Sequence, residues 1–138
     1  MKLNPYLAFD GQCRDAFDFY AKALGGTIAF MQTIGESPMA AQTPPEAHGR
    51  VMHVTLHIGD QVLQGADAPP GQFTRPAGFC VALHFDEAAE GERVLNALAD
   101  RGKVQMPFQP TFWAKGFGMC IDRFGTPWIV NADQTVGS

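Results

Sequence analysis

The residues best suited to chemistry fall into two alternating strings. In "VMHVTLHI", residues 51–58, His53, Thr55 and His57 share one parity; in "GFCVALHF", residues 78–85, Cys80, Ala82 and His84 do. Imidazoles bond ligands, accept protons near neutral pH or hold metals. Glu36 and Asp67 add carboxylates, and Tyr6 adds a phenol. His53 and His57 stand four residues apart on one strand, roughly 13 Å by strand rise, too far to share one ion. His53 is therefore read as a hydrogen-bonding or proton-accepting group, with a structural histidine bonded to a neighbouring strand as the competing reading. His57 and His84 sit near strand ends and are expected to face solvent. No sequence neighbour supplies a base to Cys80, so a buried, inert thiol competes with a ligand contact.

A third group is aromatic. "TFWAKGFGMCIDRFGTPWIVNAD", residues 111–133, holds both tryptophans and three glycines. Phe112, Trp113 and Phe117 are candidates to wall a binding site. Trp128 has the opposite parity to Ile129, so it should pack against a helix if Ile129 faces away from one. The glycines are expected to let a twisted hairpin bend. Asp122 opens "DRFG", the makeup of a β-turn with glycine fourth, and reads as structural.

The elements that must position these residues follow from periodicity. "NPYLAF" at 4–9 reads as a strand. "QCRDAFDFYAKAL" reads as a helix, with Cys13, Ala16, Phe17, Tyr20 and Leu24 in one stripe and Gly25-Gly26 as its stop. "TIAFMQT" at 27–33 is a strand candidate. Residues 35–50 carry three prolines and read as a long loop, in which Glu36 and Pro38 belong either to a lid or to a surface turn. Residues 51–58 form a strand, Gly59-Asp60 a turn, and "QVLQGAD" its return. After a linker at 68–77 the order recurs: a strand at 78–85, a helix over 86–102 with Asp86 as cap and Gly102 as stop, then "KVQMPFQ", "FGMCID" and "PWIVNAD".

That order is itself a repeat. "IGDQVLQGAD" (58–67) lies over "FGTPWIVNAD" (124–133), placing Gly59 on Gly125, Leu63 on Ile129 and Asp67 on Asp133. The fold expected is α+β: one domain over 1–138 made of two βαβββ modules, about 1–67 and 78–133, enclosing a mixed, partly polar cleft.

Composition limits the partners. The chain has 138 residues and a net charge of -4, with no Lys/Arg cluster, which argues against nucleic acid and anionic membranes. No apolar run reaches a membrane span, and "MKLNPYLAFDGQ" lacks a signal-peptide core. Three widely spaced cysteines without a CxxC pair fit a cytoplasmic protein.

"NPYLAFDGQCRDAFDFYAKALGG", "IGESPMAAQ" (34–42), "MHVTLHIGDQVL" (52–63) and "QPTFWAKGFGMCIDRFGTPWIVN" (109–131) together resemble the vicinal oxygen chelate superfamily, which includes glyoxalase I, extradiol dioxygenases and the fosfomycin and bleomycin resistance proteins. Within it they resemble the PhnB-like branch, also called 3-demethylubiquinone-9 3-methyltransferase-like. The resemblance implies the two-module fold, a small-molecule cleft and a homodimer. Metal enzymes of the superfamily place His, Gln or Glu on the first and last strands of each module. Carried onto this chain, those places fall at Ile129, at Leu63 by the repeat, at Cys80, and near Pro5 or Tyr6. Too few donors stand there for a divalent ion. The only Gly-x-Gly, Gly116 and Gly118, lies inside an aromatic strand rather than in a cofactor-binding turn. The function expected is therefore metal-free and cofactor-free binding of a small molecule by His53, Trp113, Phe112, Phe117, Tyr6, Cys80, Asp67 and Glu36. The alternative is a divalent-metal-dependent lyase, isomerase or dioxygenase with displaced ligands.

Overall fold

The computed structural model describes residues 1–134, with side chains through residue 132. The chain divides into two compact units, Met1–Thr74 and Arg75–Ser138. The first contains β1 (Tyr6–Phe9), α1 (Cys13–Leu24), β2 (Thr27–Thr33), β3 (Val51–Ile58) and β4 (Gln61–Asp67). The second contains β5 (Val81–Phe85), α2 (Ala88–Ala99), β6 (Lys103–Gln109), β7 (Ala114–Ile121) and β8 (Pro127–Gln134). Each unit is a four-stranded mixed sheet, ordered β1-β4-β3-β2 in one and β5-β8-β7-β6 in the other. The first strand of each runs parallel to the last, and the other pairings are antiparallel. The architecture is the α+β, twice-βαβββ arrangement that the alternation and helix stripes imply.

In the first unit Cys13, Ala16, Phe17, Tyr20 and Ala23 form the buried stripe of α1. Phe9, Phe17 and Tyr20 interlock, the two phenylalanine rings edge to face at 6.1 Å. Leu7, Val54, Leu56, Leu63 and Gly65 complete that core. Gly65 has no substitute: a Cβ there would lie 2.7 Å from Phe17 Cε1 and 2.8 Å from the Leu7 carbonyl oxygen. Gly25 ends α1 at φ 70°, the left-handed cap the sequence called for.

The start of α1 is capped from a distance. Gln12 makes no side-chain cap. Instead the buried Asp67 carboxylate, at the end of β4, accepts the backbone N–H groups of Gly11 and Cys13 through Oδ1 and of Val51 through Oδ2. One carboxylate thus joins β4, α1 and β3 and satisfies donors a helix start leaves open.

In the second unit Gly91, Val94, Leu95 and Leu98 are the buried residues of α2. Two expectations are corrected here. The cap position is Glu87, without a side-chain bond, rather than Asp86; and the helix ends at Ala99, before Gly102. Gly116 and Gly118 do not serve as hinges. A Cβ on Gly116 would collide with the Phe108 ring, and one on Gly118 would lie 2.5 Å from Leu95 Cδ2. They are small because α2 and Phe108 press on β7.

Trp128 is 1% exposed on the helix side, as its parity implied. Its Nε1 donates to Asp122 Oδ2 at 2.8 Å, while Asp122 Oδ1 accepts from the backbone of Phe124 and Thr126. Gly125 N–H closes on the Asp122 carbonyl, the turn read from "DRFG". The segment at 35–50 is not bare loop: it contains 3₁₀ turns at Ile34–Glu36, Pro38–Gln42 and Pro45–Ala47.

Candidate functional site

The helix covers one face of each sheet, so chemistry belongs to the face turned away from it. In the first unit that far face is polar. Strand register places Tyr6, Gln64, Thr55 and Phe30 in one row across the four strands, and Gln32 beside His53 in the next. Tyr6 Oη lies 3.0 Å from His53 Nδ1, and His53 Nε2 lies 3.0 Å from Thr55 Oγ1. Gln64 Nε2 donates to the same hydroxyl at 3.5 Å. The Tyr6 and Phe30 rings flank the imidazole at 5.7 and 6.0 Å. Partial burial, and behind it the neighbouring Cys13, raise the Tyr6 phenol above its ordinary value, so it stays protonated at neutral pH.

The second unit carries the same positions with different chemistry. Ala82, Ile129, Met119 and Met106 fill the row equivalent to Tyr6, Gln64, Thr55 and Phe30. The adjoining row is His84, Asn131, Phe117 and Gln109. Phe112, Trp113 and Phe117 form an edge-to-face ladder, at 4.8 and 5.3 Å. Thr111 Oγ1 accepts the backbone N–H of Trp113 and Ala114 and so shapes the bend that presents the indole.

The residues singled out from sequence fall in both units. Tyr6 and His53 meet in the first unit; Phe112, Trp113 and Phe117 meet in the second. Asp67 is turned toward the helix and committed to its three backbone donors. Glu36 is exposed and closes a capping box: its Oε1 accepts the Thr33 backbone N–H and hydroxyl, each at 2.9 Å. Those two bonds lower its carboxyl pKa. Cys80 is half-buried and precedes β5, while His57 and His84 are exposed. The sequence placed Thr55 on the His53 face without giving it a role and passed over Gln64 and Phe30 as site residues; their shared parity with His53 and Tyr6 was the available signal.

The repeat also needs a one-residue correction. Leu63 is 2% exposed on the helix side, and the far-face counterpart of Ile129 is Gln64. Two residues, Gly59 and Asp60, turn β3 into β4, whereas Asp122 to Thr126 turn β7 into β8. Aligning the turn glycines therefore shifts the strands by one. Asp133, matched to Asp67 in that alignment, has its side chain outside the described residues.

The corrected positions bear on metal chemistry. Ile129 and its β5 neighbour Ala82 offer no donor, and Gln64 shares its amide with Thr55. Among the described residues no group of three or more His, Cys, Asp or Glu could hold an ion. The three positions Ile129, Ala82 and Gln64 offer one neutral amide, whereas divalent sites use three or more protein donors. No helix among the described residues is long and apolar enough to cross a membrane.

Comparison with known proteins gives concordant matches. The family described as 3-demethylubiquinone-9 3-methyltransferase matches residues 1–131. Protein YjdN of Escherichia coli (strain K12) is 35% identical over 139 residues, covering 95% of each chain. The crystal structure of protein PA1353 from Pseudomonas aeruginosa superposes with TM-score 0.86 at 42% identity, over 96% of this chain and 98% of that one. A PhnB protein from Bacillus cereus, described as a 3-demethylubiquinone-9 3-methyltransferase by inference only, gives TM-score 0.78 at 24% identity over 96% and 99%. Fold alone is shared with the fosfomycin resistance protein FosX from Listeria monocytogenes, at TM-score 0.68 and 7% identity over 99% and 94%.

Proposed function

We propose a function for a chain that belongs to the 3-demethylubiquinone-9 3-methyltransferase family, the PhnB-like branch of the vicinal oxygen chelate superfamily: it binds a small organic molecule on the far face of its first sheet, without a resident metal. The observation that carries this reading is the chain Tyr6–His53–Thr55–Gln64, a set of polar side chains joined to one another on the sheet face that the helix leaves uncovered.

The roles follow from proton counting. In this reading the phenol donates to His53 Nδ1, and the ring carries its proton on Nε2 and donates to Thr55 Oγ1. Gln64 donates to that oxygen as well. The Thr55 hydroxyl proton and the Gln64 carbonyl are then left to meet a ligand, between the apolar faces of Tyr6 and Phe30. Small-molecule sites combine such aromatic walls with a few fixed polar groups. A methyl-transfer reading has less support, because Gly116 and Gly118 make room for Phe108 and Leu95 rather than form a cofactor turn. In this reading the protein is a cytoplasmic homodimer, and its second-unit aromatic ladder offers further ligand surface.

Native mass spectrometry tests the reading. Spectra are recorded on the untreated protein and after addition of Ni, Zn, Mn and Fe(II). The reading expects no ion retained through desalting and a dimeric peak series. One ion retained per subunit would overturn the metal-free reading and direct attention to a metal-dependent reaction.

A further inference from the structure

Among the described residues, the only buried side-chain nitrogen and oxygen atoms without a hydrogen-bond partner are Nδ2 and Oδ1 of Asn131. The residue is 3% exposed. It stands on the far face of β8, between His84 on β5 and Phe117 on β7. Leaving both ends of a carboxamide unpaired in a buried place costs stability, and native folds rarely do it without a use for the group. The fold itself does not require an amide here, because the equivalent place in the first sheet is Ala66. Nor do the surroundings satisfy it: along β8 and β7 its far-face neighbours are Ile129, Met119 and Phe117.

We propose that Asn131 reads the amide-like edge of a bound planar molecule, one that presents an N–H donor and a carbonyl acceptor side by side, as a lactam or carboxamide does. The carboxamide of Asn131 offers the complementary pair, Oδ1 accepting and Nδ2 donating. Phe117, continued by Trp113 at 5.3 Å, supplies an aromatic surface for the ring that carries this edge. The apolar neighbours make the recognition selective, since a ligand lacking either group leaves half the amide unpaired. His84 is exposed and Phe117 half-buried, while the two amide atoms are themselves closed to solvent, so a ligand reaches them by displacing one of these flanking side chains. This inference rests on the small-molecule reading only in requiring a ligand; its test reads Asn131 in the second unit, so either proposal can fail while the other stands.

The probe is 2-pyridone, a planar lactam, with N-methyl-2-pyridone as the control that lacks the donor. Both are titrated into the full-length ¹⁵N-labelled protein up to about 10 mM, a range suited to fragments of this size. The Asn131 side-chain NH₂ signals are assigned by their loss in Asn131→Leu, or in Asn131→Ser should the leucine variant not fold. The expected result is a saturable shift of those signals with 2-pyridone and at least tenfold weaker binding of the methylated control. Asn131→Leu is expected to lose the probe while its Tm rises by about 3 °C, because an unpaired amide has been removed. Equal binding of the two probes, or no shift at Asn131, would overturn the proposal. So would a lower Tm in Asn131→Leu, which would show that the fold or a bound water already satisfies the amide.

Discussion

The two units share one topology yet place their polarity differently. The first sets Tyr6, His53, Thr55 and Gln64 on its far face; the second fills the matching places with Ala82, Phe117, Met119 and Ile129. Their buried carboxylates differ too. Asp67 ties together three segments distant in sequence, whereas Asp122 serves one turn and the Trp128 indole within six residues. The lesson is that a βαβββ unit needs its helix-side core and its turns, and leaves the far face free to diverge.

The largest expected effect breaks the carboxylate comparison. Asp67→Ala strands the backbone donors of Gly11, Cys13 and Val51 and should cost about 4 kcal/mol. Asp122→Ala should cost less, about 3 kcal/mol: the Thr126 and indole N–H groups it strands are buried, but all its donors lie within six residues, where one turn can readjust locally. Urea denaturation of both variants checks the order.

Glycines sharpen it next. Gly65→Ala drives a methyl group against the Leu7 carbonyl, which is fixed backbone, and should cost about 3 kcal/mol. Gly116→Ala meets the far end of the half-buried Phe108 side chain on β6, which can swing aside, and should cost about 1 kcal/mol. Thermal melts give both values. Far-face changes come below these: His53→Ala and Phe117→Ala should each cost under about 1 kcal/mol in stability, since surface substitutions away from the core do little.

Thiol chemistry gives a comparison without mutation. Each unit buries one thiol, Cys13 and Cys120. Burial first, and then the Asp67 charge, raises the Cys13 thiol; burial and Asp122 push Cys120 up to about 12. At pH 8 a disulfide reagent such as Ellman's should therefore titrate one thiol, Cys80, and all three after unfolding. The smallest effect concerns Glu36. Its folded pKa is lowered by the Thr33 bonds, so its contribution is present above the unfolded value and lost as pH falls through the folded one. The stability difference between wild type and Glu36→Gln should shrink on acidification from pH 7 to pH 3.

Much of this was legible in the chain. The α1 stripe, the alternation of 51–58 and the Gly25 cap are local signals, and they gave the two modules in the right order. So did the parity of Trp128 and the "DRFG" turn. What escaped was non-local. No pattern within a few residues reveals that Asp67 caps a helix 54 residues earlier. The unequal turns hid the one-residue offset that puts Gln64, not Leu63, beside Tyr6. The packing of Gly116 depends on Phe108 from another strand, and the unpaired amide of Asn131 depends on what buries it.

The proposed function requires that the far face of the first sheet bind ligands. The direct measurement is a fragment screen followed by backbone and imidazole NMR shifts, repeated on His53→Ala. Hits that perturb Tyr6, Phe30, His53, Thr55 and Gln64 together, and that weaken at least tenfold in His53→Ala, are the predicted result. Hits that leave those five signals unmoved, or bind His53→Ala equally well, would contradict it.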